Sequence, residues 1–262
     1  MNNAVVGKNA WLVARRALLE AEKAHMKAND KLQQELRALP WLKIQTSYTF
    51  TAPDGEKTLT ELFRGRSQLF IKHFMMAPGQ DWQCVGCSLE CDHMNGLLPH
   101  LDNHDISYVV VARAPIGEIE EVRLRMGWDF CWVSSFGSEF NYDMDVSFRP
   151  EQLKSGGAQY NFRPYTGEMT ELSGNSVLYR DEAGDIYLTY QAFARGGEVF
   201  MGIFNFLDSV PKGREENGPN HGLTDWVKLR NEYESDRRAA SSGAIYPSLQ
   251  SRAKAGNPSS NP

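Results

Sequence analysis

Cys84 and Cys87 stand three apart around Val85-Gly86, inside the stretch Leu69–Asp105. Sulfurs at this spacing on one turn of chain can bond to each other, so the pair can carry two electrons. One thiolate attacks a disulfide and forms a mixed disulfide, and its neighbour resolves it. The thiolate is the nucleophile, and a free cysteine with a pKa of about 8.5 is mostly protonated at neutral pH. Cys84 is predicted to be the exposed attacking sulfur and Cys87 the resolving one. The same spacing also ligates zinc or iron–sulfur clusters. A metal alternative would draw on Cys84, Cys87 and Cys91, with either His93 or Cys131 as the fourth ligand. Against it, Cys91 falls on an apolar helical stripe, where a cysteine behaves as a small hydrophobe, and Cys131 lies between aromatic residues of a predicted strand.

The elements around the pair give it an address. Leu69–Met76 is an apolar run of strand length, followed by the turn Ala77-Pro78-Gly79-Gln80. After it Cys87, Cys91, Met94, Leu98 and Leu101 recur at helical spacing. The dithiol therefore sits where a central strand hands over to a helix, whose first turn carries unpaired N–H groups and favours an anion. Ser107–Arg113 reads as a second strand, and Pro115 opens a helix over Ile116–Met126 that Gly127 ends. Cys131–Ser135 reads as a third strand. Strand, helix, strand, helix, strand predicts two crossovers and a parallel core.

The flanks are read in the same way. Asn9–Leu39 is predicted as a helix, one or two with a bend near Lys23–Asp30, and Pro40 stops it. Its apolar face must be covered by the domain or by a second copy of the chain. Trp41–Phe63 reads as a short hairpin or edge strand, turning at Pro53-Asp54-Gly55, and then a helical turn at Leu59–Phe63. Residues 136–174 lose all period and are predicted as a long, partly ordered insertion. Ser176–Phe193 is a hairpin turning at Glu182–Asp185, followed by helices at Glu198–Leu207 and Thr224–Arg238. The expected organisation is a helical extension over 1–40, one domain over 41–238, and a disordered tail over 239–262 rich in Ser, Ala, Gly, Pro and Asn.

Composition narrows the function class. The 262 residues are 41% hydrophobic with a net charge of −5, as in an ordinary globular protein. Lysine and arginine are dispersed, so neither nucleic acid nor an anionic membrane is an expected partner. No apolar run spans a bilayer and no signal-peptide core opens the chain. The expected location is cytoplasmic, where a spaced cysteine pair is catalytic or metal-binding more often than structural. No cofactor is called for, and the expected partner is a disulfide-containing substrate or a reductase; a homodimer is one of the two ways to cover the first helix.

Taken together, several stretches resemble a thioredoxin-like family of predicted dithiol-disulfide oxidoreductases, the domain of unknown function 899 family. They are LFIKHFMM, the Cys84–Cys87 pair, NGLLPHL at Asn95–Leu101, VVVARAP at Val109–Pro115, RMGW at Arg125–Trp128, WVSSFGSEFN at Trp132–Asn141 and YQAFARG at Tyr190–Gly196. The resemblance runs from about Trp11 to Tyr233. It implies an α/β thioredoxin-like fold, a central mixed sheet flanked by helices, with an N-terminal helical extension and a central insertion. It also implies exchange between dithiol and disulfide. Thioredoxins place Gly-Pro between the cysteines and a tryptophan directly before them; here the residues are Val85-Gly86, with Trp82 two positions upstream of Cys84. Thioredoxins also carry a cis-proline before the hairpin, where this chain has Ser173-Gly174-Asn175-Ser176. A narrower or different substrate follows. Trp82 is the candidate for shaping its approach, and Lys72, His73 and Arg195 are candidates for supporting the thiolate. The neighbouring enzyme reading is a peroxiredoxin-like thiol peroxidase. Its Pro-x-x-x-Thr-x-x-Cys pattern is missed here, with Pro78 six and Asp81 three residues before Cys84. A non-catalytic thioredoxin-fold module is the third.

Overall fold

The computed structural model describes residues 3–233. The expected tail and the end of the expected helix Thr224–Arg238 lie outside these residues. In chain order the strands are β1 (Leu42–Lys43), β2 (Thr49–Ala52), β3 (Gly55–Thr58), β4 (Gln68–His73), β5 (Ile106–Ala112), β6 (Cys131–Ser134), β7 (Gln159–Tyr160), β8 (Arg163–Pro164), β9 (Gly174–Arg180) and β10 (Ile186–Phe193). The helices are α1 (Lys8–Arg37), α2 (Leu59–Leu62), α3 (Val85–Asp92), α4 (Leu98–Asn103), α5 (Ile116–Met126), α6 (Phe140–Asp143), α7 (Pro150–Ser155) and α8 (Ile203–Ser209).

Eight strands form one mixed sheet in the order β1-β10-β9-β4-β5-β6-β2-β3. β4, β5 and β6 are parallel, as the strand–helix alternation requires, and β9 runs antiparallel along the other side of β4. Residues of α3 and α5 pack on one face with Phe74, Tyr108, Val110 and Trp132. Residues of α2 and α6 pack on the opposite face with Leu69, Ile71, Val109 and Val111. The central strands are apolar on both faces because both are covered. This is a mixed α/β fold with its central sheet flanked by helices on both sides, the architecture that the resemblance implies.

Three expectations change in detail. The helix after the dithiol is two, α3 and α4, separated by a turn through Met94–Leu97. The helix expected over Glu198–Leu207 is a 3₁₀ helix, Ala194–Phe200, followed by α8. Its start holds Gly196-Gly197 and Gly202 interrupts it, and glycine weakens a helix interior. The region 136–174 supplies core: Phe140, Met144 and Val146 are buried, and the Phe140 ring lies 5.0 Å from Tyr48 and 4.9 Å from Phe50.

α1 is one unbroken helix of 30 residues rather than two. Its Ala, Leu, Glu, Lys, Gln and Arg are strong helix formers. The pairs Lys23–Glu20 and Lys31–Glu35 brace it at helical spacing. None of its residues is buried, and Trp11, Leu18, Met26 and Leu32 stand exposed. The stripe is covered only in part: Leu12 and Leu36 are half-buried, and the end of α1 borders a cleft with Phe70, Val177 and Phe200.

Candidate functional site

β4 delivers the chain to the site, and strand alternation sorts its last two residues. Lys72 and His73 point to opposite faces of the sheet. Lys72 joins the face of α3, where its ammonium contacts Glu90 Oε2 at 2.5 Å and Ser173 Oγ at 2.8 Å. His73 goes to the other side, with Nε2 2.8 Å from Ser176 Oγ and its ring 5.8 Å from Phe140. Burial first, and the charge of Lys72 second, push the His73 pKa down to about 3. So His73 is a neutral core histidine and gives the dithiol nothing.

That burial has a pH signature. The folded pKa lies below the unfolded value, so the unfolded chain binds the extra proton between about 3 and 6.5. Stability is then full above the unfolded pKa and falls as pH drops through this window. The expected loss from His73 is on the order of a few kcal/mol by pH 4. Urea unfolding of His73→Gln at pH 7 and pH 4 reads it: the variant should lose less stability on acidification than the parent, and equal losses would remove histidine from the account.

After His73 the chain turns at Ala77–Gln80. Gln80 fixes the turn by accepting the Ala77 N–H at 3.1 Å and donating to the Met75 and Trp82 carbonyls at 3.2 and 2.7 Å. The chain then reaches Cys84, which caps α3: its Sγ accepts the Cys87 N–H at 3.2 Å. Ser88 Oγ donates to the Cys84 carbonyl at 2.8 Å and accepts from Gln83 at 2.7 Å. The sulfur thus occupies a place where a helix provides a donor and positive potential. Both cysteines are free and no disulfide links them. Cys84 is partly exposed, and Cys87 is buried one turn in.

The two sulfurs share their protons. Burial works against an anion at Cys87. The hydrogen bond from the Cys84 thiol, the Lys72 ammonium, the Met75 N–H and the Ser173 hydroxyl outweigh it, and its pKa falls to about 7. The same hydrogen bond, then burial, holds the Cys84 thiol well above the ordinary value. The first proton to leave the pair therefore leaves at about 7, with the charge resting toward Cys87 and Lys72. Lys72 is held charged: burial opposes this, and Glu90 and Cys87 override it.

The remaining sulfurs lie apart. Cys91 is fully buried and its thiol is pushed well up by burial. Cys131 packs on the opposite face of the sheet and borders a separate cleft of about 450 Å³ with Lys57, Arg64 and Arg123. His93 Nδ1 lies 2.6 Å from the Leu89 carbonyl. Among the described residues no group of three or more His, Cys, Asp or Glu could hold a metal ion. The alternative set of Cys84, Cys87, Cys91 and Cys131 or His93 is not assembled.

A cleft of about 670 Å³ opens over the dithiol, bordered by Met75, Trp82, Ser173, Arg195, Met201 and Leu223 among others. Trp82 and Arg195, both expected near the site, are there. Arg195 pairs with Glu198 at 3.0 Å. Glu90, Ser173 and Leu223 were not expected. A signal for Glu90 existed: a lysine inside an apolar strand needs a carboxylate, and Glu90 lies one helical turn after Cys87.

A family model described as "Bacterial protein of unknown function (DUF899)" matches residues 1–233. The chain belongs to the DUF899 family. No match is found among curated proteins. Solved structures similar to this DUF899 chain include peroxidoxin BcpB from Mycobacterium tuberculosis, at 11% identity and TM-score 0.42, covering 63% of this chain and 95% of that one. A bacterioferritin comigratory protein of Xanthomonas campestris is similar at 14% identity and TM-score 0.40, covering 60% and 87%. A thiol:disulfide interchange protein from Bacteroides sp. is similar at 10% identity and TM-score 0.35, covering 68% and 97%. Identities this low leave the chemistry of the DUF899 site to be read from its own geometry. No helix among the described residues is long and apolar enough to cross a membrane.

Proposed function

We propose that this DUF899 protein is a thiol-disulfide oxidoreductase in which Cys84 attacks and Cys87 resolves. One observation carries the reading: a partly exposed sulfur caps α3, and three residues on a buried sulfur faces a buried lysine and a serine hydroxyl. Both cysteines line the cleft, and Cys84 is the more exposed of the two. In the reduced pair Cys84 passes its proton to Cys87 as it attacks, so the acidity that Lys72 and Ser173 create at Cys87 becomes nucleophilicity at Cys84. Substrate disulfide then breaks, Cys84 joins one substrate sulfur, and the other leaves as a thiolate. Cys87 gives the proton it received to the departing thiolate and, as a thiolate beside Lys72, attacks the Cys84 sulfur; the second substrate sulfur leaves as a thiolate and a Cys84–Cys87 disulfide remains. Trp82 forms a wall of the approach, and a dithiol reductant resets the protein.

The test is thiol quantitation of the purified protein across a glutathione redox series. Catalytic pairs poise at about −120 to −270 mV, and structural disulfides lower. A two-electron transition in that window, lost in both Cys84→Ser and Cys87→Ser, is the expected result. No transition in it, or one unchanged by either substitution, would refute the proposal.

A further inference from the structure

The cleft over the dithiol has a volume of about 670 Å³, the size of a small-molecule site rather than of a protein-docking face. Much of its lining is apolar: Met75, Trp82, Met169, Met201 and Leu223. Methionine is unbranched and adapts its shape to flexible hydrocarbon. Cys84 itself touches one of these walls, with Sγ 3.7 Å from Met75 Sδ. Leu223 reaches the turn between the cysteines, for a Cβ added at Gly86 would lie 3.2 Å from Leu223 Cδ1. A leucine from the far end of the described chain thus roofs the reactive pair.

The charges at the rim of the cleft largely offset one another. Arg195 and Glu198 are paired, and Glu198 also holds Arg214 at 2.8 Å. His221 is exposed. Glu216 borders the same cleft, and its Oε1 is buried with no hydrogen-bond partner. An anion entering would meet that carboxylate where little water screens it.

A peptide strand would find backbone groups beside the sulfurs already taken. The Ser173 carbonyl, at the position preceding β9, accepts the Tyr160 hydroxyl at 2.7 Å, and the same hydroxyl accepts the Ala194 N–H at 3.0 Å. Main-chain pairing is what gives strand addition its affinity. Here an aromatic side chain from the insertion already occupies two of the backbone groups beside the sulfurs.

Resting on the oxidoreductase reading above, we propose that the cleft takes a small, uncharged, largely apolar disulfide of the dialkyl type, and disfavours anionic and protein disulfides. The balance is that of two thiols against one disulfide. The protein pair gives up two electrons and two protons and becomes the Cys84–Cys87 disulfide, while the substrate S–S bond breaks to two alkyl thiols.

The experiment is single-turnover loss of protein thiols with dipropyl disulfide, glutathione disulfide and insulin as probes. Each rate constant is divided by that of dithiothreitol with the same probe, which removes intrinsic reactivity. The quotient for dipropyl disulfide should exceed the other two by at least about tenfold. Leu223→Asn should lower it by about fivefold, and Glu216→Gln should raise the quotient for glutathione disulfide. Equal quotients, or insulin in the lead, would overturn the substrate class and leave the dithiol standing. Loss of thiols at Cys84 and Cys87 with none of the three would overturn both.

Discussion

Cys87→Ser is expected to accumulate a mixed disulfide on Cys84, while Cys84→Ser should give no adduct and no turnover. The asymmetry follows from exposure: Cys84 is partly exposed, and Cys87 is buried. Once Cys84 has formed a bond to substrate, only a sulfur one helical turn away can release it, and a serine hydroxyl cannot do so. Intact-mass measurement after exposure to a disulfide reads both outcomes. The loss in turnover should be complete within detection for either variant, a factor of about 10³ or more. An adduct that forms on Cys87 in Cys84→Ser at the parent's rate would reverse the assigned roles.

The second large effect concerns Lys72. Replacing it by methionine strands Glu90, itself buried, without its partner at 2.5 Å. Breaking such a pair costs about 3–5 kcal/mol. The same change removes the cation that lowers Cys87, so the alkylation midpoint of the pair should climb from about 7 toward the ordinary thiol range. The two consequences separate in a double variant. Lys72→Met with Glu90→Leu removes both charges, and most of the lost stability should return because apolar replacement of a buried pair is often neutral. The thiol acidity should not return. Urea unfolding and the pH dependence of iodoacetamide reaction measure the two halves. A double variant that recovers stability and reacts with the parent's pH profile would mean that Lys72 serves the fold alone.

Much of the arrangement was legible because it rests on strong local signals. The parallel core follows from three short apolar runs, each separated from the next by helical spacing, and the hairpin β9–β10 follows from its alternation and the Glu182–Asp185 turn. The address of Cys84 at a helix start was readable for the same reason. What escaped reading was non-local. Ser173 carries no periodicity and gains its role only because β9 lies beside β4, bringing its hydroxyl to Lys72. The core positions of 136–174 were hidden because their elements are four to six residues long or shorter, too brief to display a period. Lys72 and His73 looked equivalent as adjacent polar residues in one strand. The pleat separates them, and only the cover on each face decides which one meets the sulfurs.

The unburied first helix has a thermodynamic consequence. With no residue of α1 inside the core, its order within one chain rests chiefly on backbone propensity and side-chain pairs along its own surface. Segments held in that way open without waiting for the rest of the molecule. Amide exchange should therefore divide the chain into two regimes. The α1 amides should trade their hydrogens in rapid, piecemeal fraying, while those of β5, sealed on both faces, should exchange only in the rare event that unfolds the whole sheet.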